Sequence, residues 1–304
     1  MYPYIEILRP GKSLMSVAFV MIGVIVSLGN ARLVLLGDIS FSYGTLLALV
    51  AFFMINGAGN TINDFFDVES NRMDKPRRPI PSGRVSDRGA FFYSVALFTA
   101  GILISAMLNY VCFIIAVINS VVLILYSKAF QGGILSSVSA GYLTGSAFLF
   151  GAAASGDMST AFWLFLIMAL STMSRKLVKL MEDMEGDRRT ILKGMKSGMK
   201  RKVTDGLRIT RKRIDSRGMV WGKGILAVAF LVMAIASTPL PYALSLDGPV
   251  YLALVMIADA FFVLSLYMIL VRRGRKQLRK AGSMIKKGRW MVVIAFLLSA
   301  LLFA

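Results

Sequence analysis

Long apolar stretches alternate along the chain with short polar segments, and each is close to the roughly 20 residues that cross a bilayer as a helix. Nine such stretches are present, of which the last is the shortest. They cover residues 13–29, 43–63, 89–108, 110–127, 133–154, 160–180, 220–237, 249–270 and 290–304. Asn109 with Tyr110 divides the third from the fourth. The pattern predicts an all-α, polytopic membrane protein with nine transmembrane helices in a single domain, residues 1–304.

Lysine and arginine are concentrated in alternate segments between these helices. If the N-terminus is cytoplasmic, 33 of the 35 Lys and Arg residues fall on the cytoplasmic side. Of the other two, Arg32 lies in a predicted external loop and Lys223 just inside the seventh helix. Cytoplasmic loops near membrane helices are enriched in these residues. We therefore expect a multi-pass protein of the cell membrane with a cytoplasmic N-terminus.

The composition narrows the possible functions. The mean hydropathy is +0.69, although the net charge is +19. A nucleic-acid partner is not expected, because a polynucleotide-binding protein exposes its basic face to water. The basic loops suit anionic membrane lipids instead. The chain has no histidine and one cysteine, so serine–histidine triads, histidine–zinc sites and an intramolecular disulfide are excluded.

Acidic residues gather at two points, each just after a predicted membrane helix. Half of the 16 acids belong to these clusters, which are Asp64, Asp67, Glu69 and Asp74, and then Glu182, Asp183, Glu185 and Asp187. Helical spacing places Asn56, Asn60, Asn63, Asp67 and Asn71 on one face. Ionisable groups at a membrane boundary are costly and often functional. Both clusters are expected on the cytoplasmic side.

The residue types in these clusters suit a diphosphate bound through metal. Mg²⁺ prefers oxygen ligands, usually one or two carboxylates together with substrate phosphates. Lysine and arginine in the proline-containing segment 72–83 could hold the diphosphate from another side. The alternative is that acids and bases only pair with one another at a solvated helix end. Two matched clusters favour the metal site over that alternative.

The first cluster carries a long motif, NDFFDVESNRMDKPRRPIPSG, over residues 63–83, and the second carries DMEGD over residues 183–187. Both motifs resemble those of the UbiA superfamily of intramembrane prenyltransferases, and the predicted nine-helix topology is similar to that of the superfamily. The resemblance implies helices that surround a central polar cavity open to the cytoplasmic side and to lipid. It also implies Mg²⁺-dependent transfer of a prenyl group from a prenyl diphosphate to an acceptor.

The resemblance also implies roles for individual residues. The metal ligands would be Asn63, Asp64, Asp67, Asn71, Asp74, Asp183 and Asp187. The diphosphate would be bound by Arg72, Lys75, Arg78, Lys128, Arg175 and Lys179. The catalytic residues would be Asp67, Asp183, Asp187, Lys128 and Tyr126, although Tyr126 could instead be a membrane anchor. The cytoplasmic loops 68–88 and 181–218 would cover the site.

Three features depart from the superfamily pattern. Asn71 stands where an aspartate is usual and Asp74 where an asparagine is common, as if the two had been exchanged. Asp74 could still reach the metal if the helix continues that far, or it could pair with Arg77 or Arg78. Leu180 replaces a frequent acid, and a basic stretch, residues 188–217, replaces the usual continuation.

The motifs do not fix the acceptor. Their form is most similar to the branch that makes archaeal ether lipids, which implies geranylgeranyl diphosphate as donor and geranylgeranylglyceryl phosphate, a lipid phosphate, as acceptor. An aromatic acceptor such as 4-hydroxybenzoate is the alternative. A multi-pass transporter is a second alternative, with Asp259 as an ion site within the eighth helix. We favour instead a packing role for Asp259, hydrogen-bonded to a neighbouring helix. The oligomeric state is left open.

Overall fold

The computed structural model describes residues 2–28, 43–128, 133–196, 217–271 and 274–302, except for the side chains of residues 186–196 and 217–221. The described part is helical and contains no strand. Its helices are α1 (Pro3–Ile7), α2 (Pro10–Leu28), α3 (Tyr43–Phe66), α4 (Val68–Asp74), α5 (Asp87–Leu108), α6 (Tyr110–Lys128), α7 (Ile134–Ser155), α8 (Ser159–Lys196), α9 (Arg217–Ser237), α10 (Leu240–Ala243), α11 (Pro249–Leu270) and α12 (Arg275–Leu302).

Eight of the predicted membrane helices coincide with helices of the structure that are long and apolar enough to cross a bilayer. They are α2, α3, α5, α6, α7, α8, α9 and α11. The ninth predicted helix lies in the second half of α12, whose first half is basic. Membrane crossing by α12 therefore stays a prediction, and so does the central polar cavity. Arg32 lies outside the described residues.

Two segments expected to be loops are partly helical. Residues 68–74 form α4, which follows α3 after a break at Asp67. The second acidic cluster lies within α8, which continues to Lys196. Residues 181–196 are rich in residues that favour helices, but both segments lack the apolar stripe by which a helix is recognised in sequence. The predicted loops 68–88 and 181–218 are therefore only partly loops, and residues 197–216 lie outside the described part.

Helices α2 and α7 cross at the centre of the bundle with their backbones in contact. A Cβ atom added to Gly23 would collide with the main chain of Phe148, and one added to Gly151 would collide with that of Val20. Small residues permit such close approach between membrane helices. One buried core joins α2 and α7 to α3, α5 and α6, and the other joins them to α8, α9, α11 and α12.

Two polar residues within the bundle behave as predicted. Asn109 ends α5, accepts a hydrogen bond of 2.8 Å from the Cys112 amide and donates one of 2.8 Å to the Ala153 carbonyl. The hairpin predicted at this point is therefore confirmed. Both carboxylate oxygens of Asp259 lie 2.8–2.9 Å from Oγ1 of Thr238, at the end of α9. This contact is the hydrogen bond that a packing role for Asp259 requires.

Candidate active site at the ends of α3 and α8

Asp64, in the last turn of α3, is the centre of the first acidic cluster. Its side chain is only 4% exposed and forms ion pairs with Arg9 and Arg78, both at Oδ1. The Arg78 contact measures 2.7 Å from Nη1. A buried carboxylate is tolerated when it is paired and hydrogen-bonded. Asp64 therefore fixes two cations at the end of α3.

Arg9 was not among the predicted site residues. It lies between α1 and α2 with φ of 51°, a left-handed conformation that is unfavourable for a residue with a side chain. Arg9 and Asp64 are 55 positions apart, and no sequence pattern links them. Lys12 also lies within electrostatic range of Arg9, Asp64 and Arg78. Arg9 and Lys12 therefore add two cations beside Asp64. From the sequence alone they had served only to predict the orientation of the chain in the membrane.

Arg78 connects Asp64 to Asn71 of α4. The Nη1 atom of Arg78 also donates a 3.0 Å hydrogen bond to Oδ1 of Asn71. Asn71 is 5% exposed, and its Nδ2 atom is buried without a hydrogen-bond partner. The amide oxygen proposed from sequence as a metal ligand is therefore in contact with a cation. The amide nitrogen is a donor available to an oxygen of a bound molecule.

The asparagine stripe on α3 divides into two parts. Asn63 donates a 2.8 Å hydrogen bond from Nδ2 to Oδ2 of Asp67, as their spacing predicts. Asn60 instead donates to the Leu8 carbonyl at 3.1 Å and to Ser13 at 3.2 Å, so it fastens the junction of α1 and α2. Asn56 donates to the Phe52 carbonyl of its own helix. The last part of the stripe therefore contacts a carboxylate of the acidic cluster, whereas Asn60 joins helices.

The segment after α4 is anchored to the body of the protein. Ile80 and Val85 pack with Ile7 in a small buried core. Arg84 holds Glu6 of α1 through two hydrogen bonds of 2.7 and 3.1 Å. Hydrogen bonding to Arg84 lowers the pKa of Glu6. These contacts hold Arg78 against Asp64.

The remaining predicted residues of this segment are exposed, namely Arg72, Asp74 and Lys75, together with Arg77. Asp74 takes part in none of the ion pairs formed among the described residues. Arg78 contacts Asp64 and Asn71 rather than Asp74. The structure therefore does not contain the pairing of Asp74 with Arg77 or Arg78 that was one of the two sequence hypotheses.

The second acidic cluster lies on α8 and differs in its surroundings. Asp183 is exposed and Glu182 is half-buried, while Arg175 and Lys179 are exposed on the same helix. The side chain of Asp187 lies outside the described part. Within that part, no three acidic side chains from the two clusters come close enough to form a ready-made metal site. The predicted metal site stays a prediction.

The end of α6 connects the two clusters. Leu123 contacts the position of Gly59 on α3. One turn further on, Tyr126 accepts a 2.6 Å hydrogen bond from Nζ of Lys176 on α8, which also lies 4.7 Å from the centre of the Tyr126 ring. The two clusters are therefore at the same end of the bundle. Lys176 was not among the predicted site residues, because only its neighbours Arg175 and Lys179 were assigned to the site. The predicted residue Lys128, two positions after Tyr126, is exposed.

A polar cavity of about 760 Å³ lies at the opposite end, where α8 begins and α12 ends. Its lining includes Ser27, Asp157, Asp247 and Ser299, and none of its lining residues is lysine or arginine. Burial raises the pKa of Asp247 to about 6, and its Oδ2 atom has no hydrogen-bond partner. Hydrogen bonds from Ser159 lower the pKa of Asp157. The cavity does not suit an anionic substrate.

Several known proteins are similar to this chain in sequence and in fold. The profile of the UbiA prenyltransferase family matches residues 18–287. Digeranylgeranylglyceryl phosphate synthase of Methanosarcina mazei is 39% identical over 254 residues, which cover 83% of this chain and 80% of that protein. The protein of the same name from Methanococcoides burtonii is 34% identical over 307 residues, covering 99% and 100%.

Solved structures of related proteins have a similar fold. A structure of digeranylgeranylglyceryl phosphate synthase covers 98% of this chain and 97% of its own, with a TM-score of 0.82 and 29% identity. A UbiA homolog from Archaeoglobus fulgidus, solved with GPP and Mg²⁺, shares the fold with a TM-score of 0.53 and 14% identity. The chain is similar to both over nearly its whole length.

Proposed function

This chain belongs to the UbiA prenyltransferase family, and from that premise we propose that it transfers a geranylgeranyl group from geranylgeranyl diphosphate to geranylgeranylglyceryl phosphate. The observation that carries the reaction class is the cluster of cations that Asp64 fixes at the end of α3. The acceptor rests on relatives named digeranylgeranylglyceryl phosphate synthase, whose lengths this chain matches almost completely. The product would be an archaeal ether lipid.

The proposed reaction exchanges one C–O bond for another. The bond between the allylic carbon and the diphosphate breaks, and its electron pair stays on the diphosphate. A hydroxyl oxygen of the acceptor bonds to the same carbon, and one proton is released for each ether formed. Positive groups placed where this negative charge develops lower the barrier. Such chemistry does not require the strong neutral-pH base that histidine would provide.

Arg78 is well placed to bind the leaving diphosphate. It uses only Nη1 for its bonds to Asp64 and Asn71, and a guanidinium has five N–H donors. The other donors can therefore serve phosphate oxygens. We propose that Lys75, Arg72 and Lys128, which are exposed, complete the diphosphate site together with Lys179.

The donor set at this end of the bundle also fits Mg²⁺, which prefers carboxylate and amide oxygens. Asp67 with Asn63 would hold a metal on the α3 side, and Asp183 with Asp187 on the α8 side. Asp74, exposed at the end of α4, would add a further carboxylate. Asp64 contacts two arginines, so its contribution would be to hold cations beside the metal. The bound ion would neutralise charge on the diphosphate.

Tyr126 and Lys176 supply a further part of the proposed site. Their contact at 2.6 Å joins α6 to α8 beside the second acidic cluster. We propose that Lys176 adds a cation for the diphosphate and that Tyr126 holds it in place. An aromatic ring can also stabilise an allylic cation.

The orientation in the membrane is part of the proposal. With the N-terminus in the cytoplasm, the ends of α3 and α8 face the cytoplasm, where segments 68–88 and 181–218 would cover the site. The ion pair of Arg84 with Glu6 supports the proposal that segment 68–88 covers the site, because it fixes that segment against α1.

Product analysis of the purified protein tests the function. It would be given geranylgeranyl diphosphate with equal amounts of geranylgeranylglyceryl phosphate and 4-hydroxybenzoate, with Mg²⁺ or with EDTA. We expect mass spectrometry to show only the doubly prenylated glyceryl phosphate, and only with Mg²⁺. A prenylated benzoate would support the aromatic alternative, and failure to release diphosphate with either acceptor would contradict both.

A further inference from the structure

Arg289 of α12 is a charged residue that the proposed site does not use. It is half-buried, and its Nε atom is buried without a hydrogen-bond partner. The helix is closely packed on both sides of it, since a Cβ added to Gly288 would lie 2.6 Å from the Phe262 ring and the Trp290 ring lies 6.2 Å from that of Phe19. Buried polar atoms are nearly always paired. An unpaired donor here calls for an explanation.

The position of Arg289 follows from the packing of α12 against α8. The two helices are antiparallel, because the start of α8 and the end of α12 line the same cavity. Further along, Gly282 lies opposite Val178. Two turns from Gly282 along α12 is Arg289, and two turns back from Val178 along α8 is Ser171. Arg289 is therefore level with the turn between Ser171 and Arg175.

Arg175 lies within electrostatic range of Arg289, and the two positive charges repel each other. Neither arginine takes part in the ion pairs found among the described residues. Two guanidinium groups within electrostatic range of each other, neither of them ion-paired in the described part of the chain, favour a bound anion. Arginine pairs of this kind match the planar geometry of phosphate.

We infer that Arg289 and Arg175 form a second anion site, which binds the phosphate of the acceptor lipid. The inference rests on the proposed function. The diphosphate already has its own cations, Arg9, Lys12 and Arg78, beside Asp64. Arg175, which the resemblance assigns to the diphosphate, is therefore assigned here to the acceptor instead. Arg175 precedes Asp183 by eight residues, or about 12 Å of helix, so the second site lies deeper in the bundle than the acids.

The chemistry of a glyceryl phosphate fits this arrangement. Its free hydroxyl and its phosphate are at most two carbons apart, so fixing the phosphate places the hydroxyl near the reacting carbon. An acceptor without an anionic group, such as geranylgeranylglycerol, would leave the two arginines unpaired. The second site would therefore select a phosphorylated lipid over the same lipid without phosphate.

Steady-state kinetics of Arg289→Gln test the assignment. We expect the KM for geranylgeranylglyceryl phosphate to rise about tenfold or more, as for the loss of a hydrogen bond to a charged group, whereas the KM for geranylgeranyl diphosphate and kcat change little. Arg289→Lys, which keeps the charge but loses the planar fork, should recover part of the affinity. Arg279→Gln, an exposed arginine on the same helix, is the matched control and should change neither KM.

An unchanged KM for the acceptor would overturn the inference, and so would a rise in the KM for geranylgeranyl diphosphate alone. Binding of geranylgeranylglyceryl phosphate and of geranylgeranylglycerol, measured by native mass spectrometry, separates the inference from the proposed function. The native protein should prefer the phosphorylated lipid, and Arg289→Gln should lose that preference even if the transferred group goes to another acceptor. Equal binding of the two lipids by the native protein would contradict the second site. If Arg289→Gln does not fold, the same comparison is made with Arg289→Lys.

Discussion

Two carboxyl groups, Asp64 and the half-buried Asp247, lie at opposite ends of the helix bundle and differ in what surrounds them. Asp64, at the end of α3, is paired with Arg9 and Arg78. Asp247, before α11, has an oxygen without a partner, and burial raises its pKa to about 6. Asp64 binds two arginines, whereas Asp247 lies in a cavity whose lining contains no lysine or arginine, and burial favours its protonated form. The difference shows which end of the bundle can receive an anionic substrate.

Charge, rather than the size of a cavity, therefore distinguishes the candidate active end. The cavity beside Asp247 has a volume of about 760 Å³, which is large enough for a small ligand. Its lining contains Asp157 and Asp247 without a lysine or arginine, so a diphosphate would be repelled. The end of α3 combines carboxylates with several cations.

The largest expected effect comes from removing the proposed metal ligands at the active end. Asp67→Ala, Asp183→Ala and Asp187→Ala should each reduce kcat roughly 100-fold or more, because charge on the leaving diphosphate would lose its stabilisation. All three should unfold in detergent at nearly the native temperature. Asp157→Asn, at the other end, is the control and should keep full activity. Near-normal turnover in any two of the three would contradict the two-metal proposal.

The second prediction concerns stability. Asp64→Ala should lower the free energy of unfolding by about 3 kcal/mol or more, because it leaves two partly buried arginines without their counter-ion. Glu6→Gln, which breaks the exposed pair with Arg84, should change the midpoint of thermal unfolding very little. A midpoint for Asp64→Ala equal to that of Glu6→Gln would show that the buried ion pairs do not hold this end together.

The exchanged pair of residues in the first motif gives a third, smaller effect. If Asp74 replaces the charge missing at Asn71, Asp74→Asn should reduce activity several-fold at limiting Mg²⁺, because an amide is a weaker ligand than a carboxylate. Asn71→Asp combined with Asp74→Asn should restore it. Mg²⁺ titration of activity in both variants is the measurement. Unchanged activity of Asp74→Asn would show that this exposed carboxylate is dispensable.

The smallest effect is expected at Asp247 and depends on pH. Because its pKa is raised from 3.8 to about 6, the folded protein favours the protonated acid. Stability is therefore lost as the pH rises from about 4 through 6, where the carboxylate becomes charged while buried. Asp247→Asn should raise the unfolding temperature by a few degrees at pH 7.5 and leave it unchanged at pH 4. An equal effect at both pH values would exclude this titration as the cause.

Much of the fold could be predicted because membrane helices are recognised in a sequence by the length and apolar character of their segments. The turn at Asn109 was predicted for the same reason, since it is the polar point of a long apolar run. The acidic clusters were visible as local motifs. In contrast, α4 and the continuation of α8 beyond residue 180 are polar helices, and a polar helix has no apolar stripe by which to recognise it.

The contacts that organise the candidate site were beyond prediction because they join distant parts of the chain. Arg9 reaches Asp64 across 55 positions, and Lys176 reaches Tyr126 across 50. Each pairs a residue of one helix with a residue of another, and only the packing of the bundle brings them together. Arg289 appeared in the sequence as one more positive charge. Its significance depends on burial, which sequence alone did not reveal.

The crossing of α2 and α7 has a consequence for traffic of substrate between membrane and protein. Gly23 and Gly151 bring the two backbones into direct contact, so no hydrocarbon chain can pass between the helices at this crossing. The prenyl tail of the proposed substrate would have to enter the bundle elsewhere. Because both buried cores include residues of α2 and α7, this crossing is a fixed contact that the two halves of the bundle share.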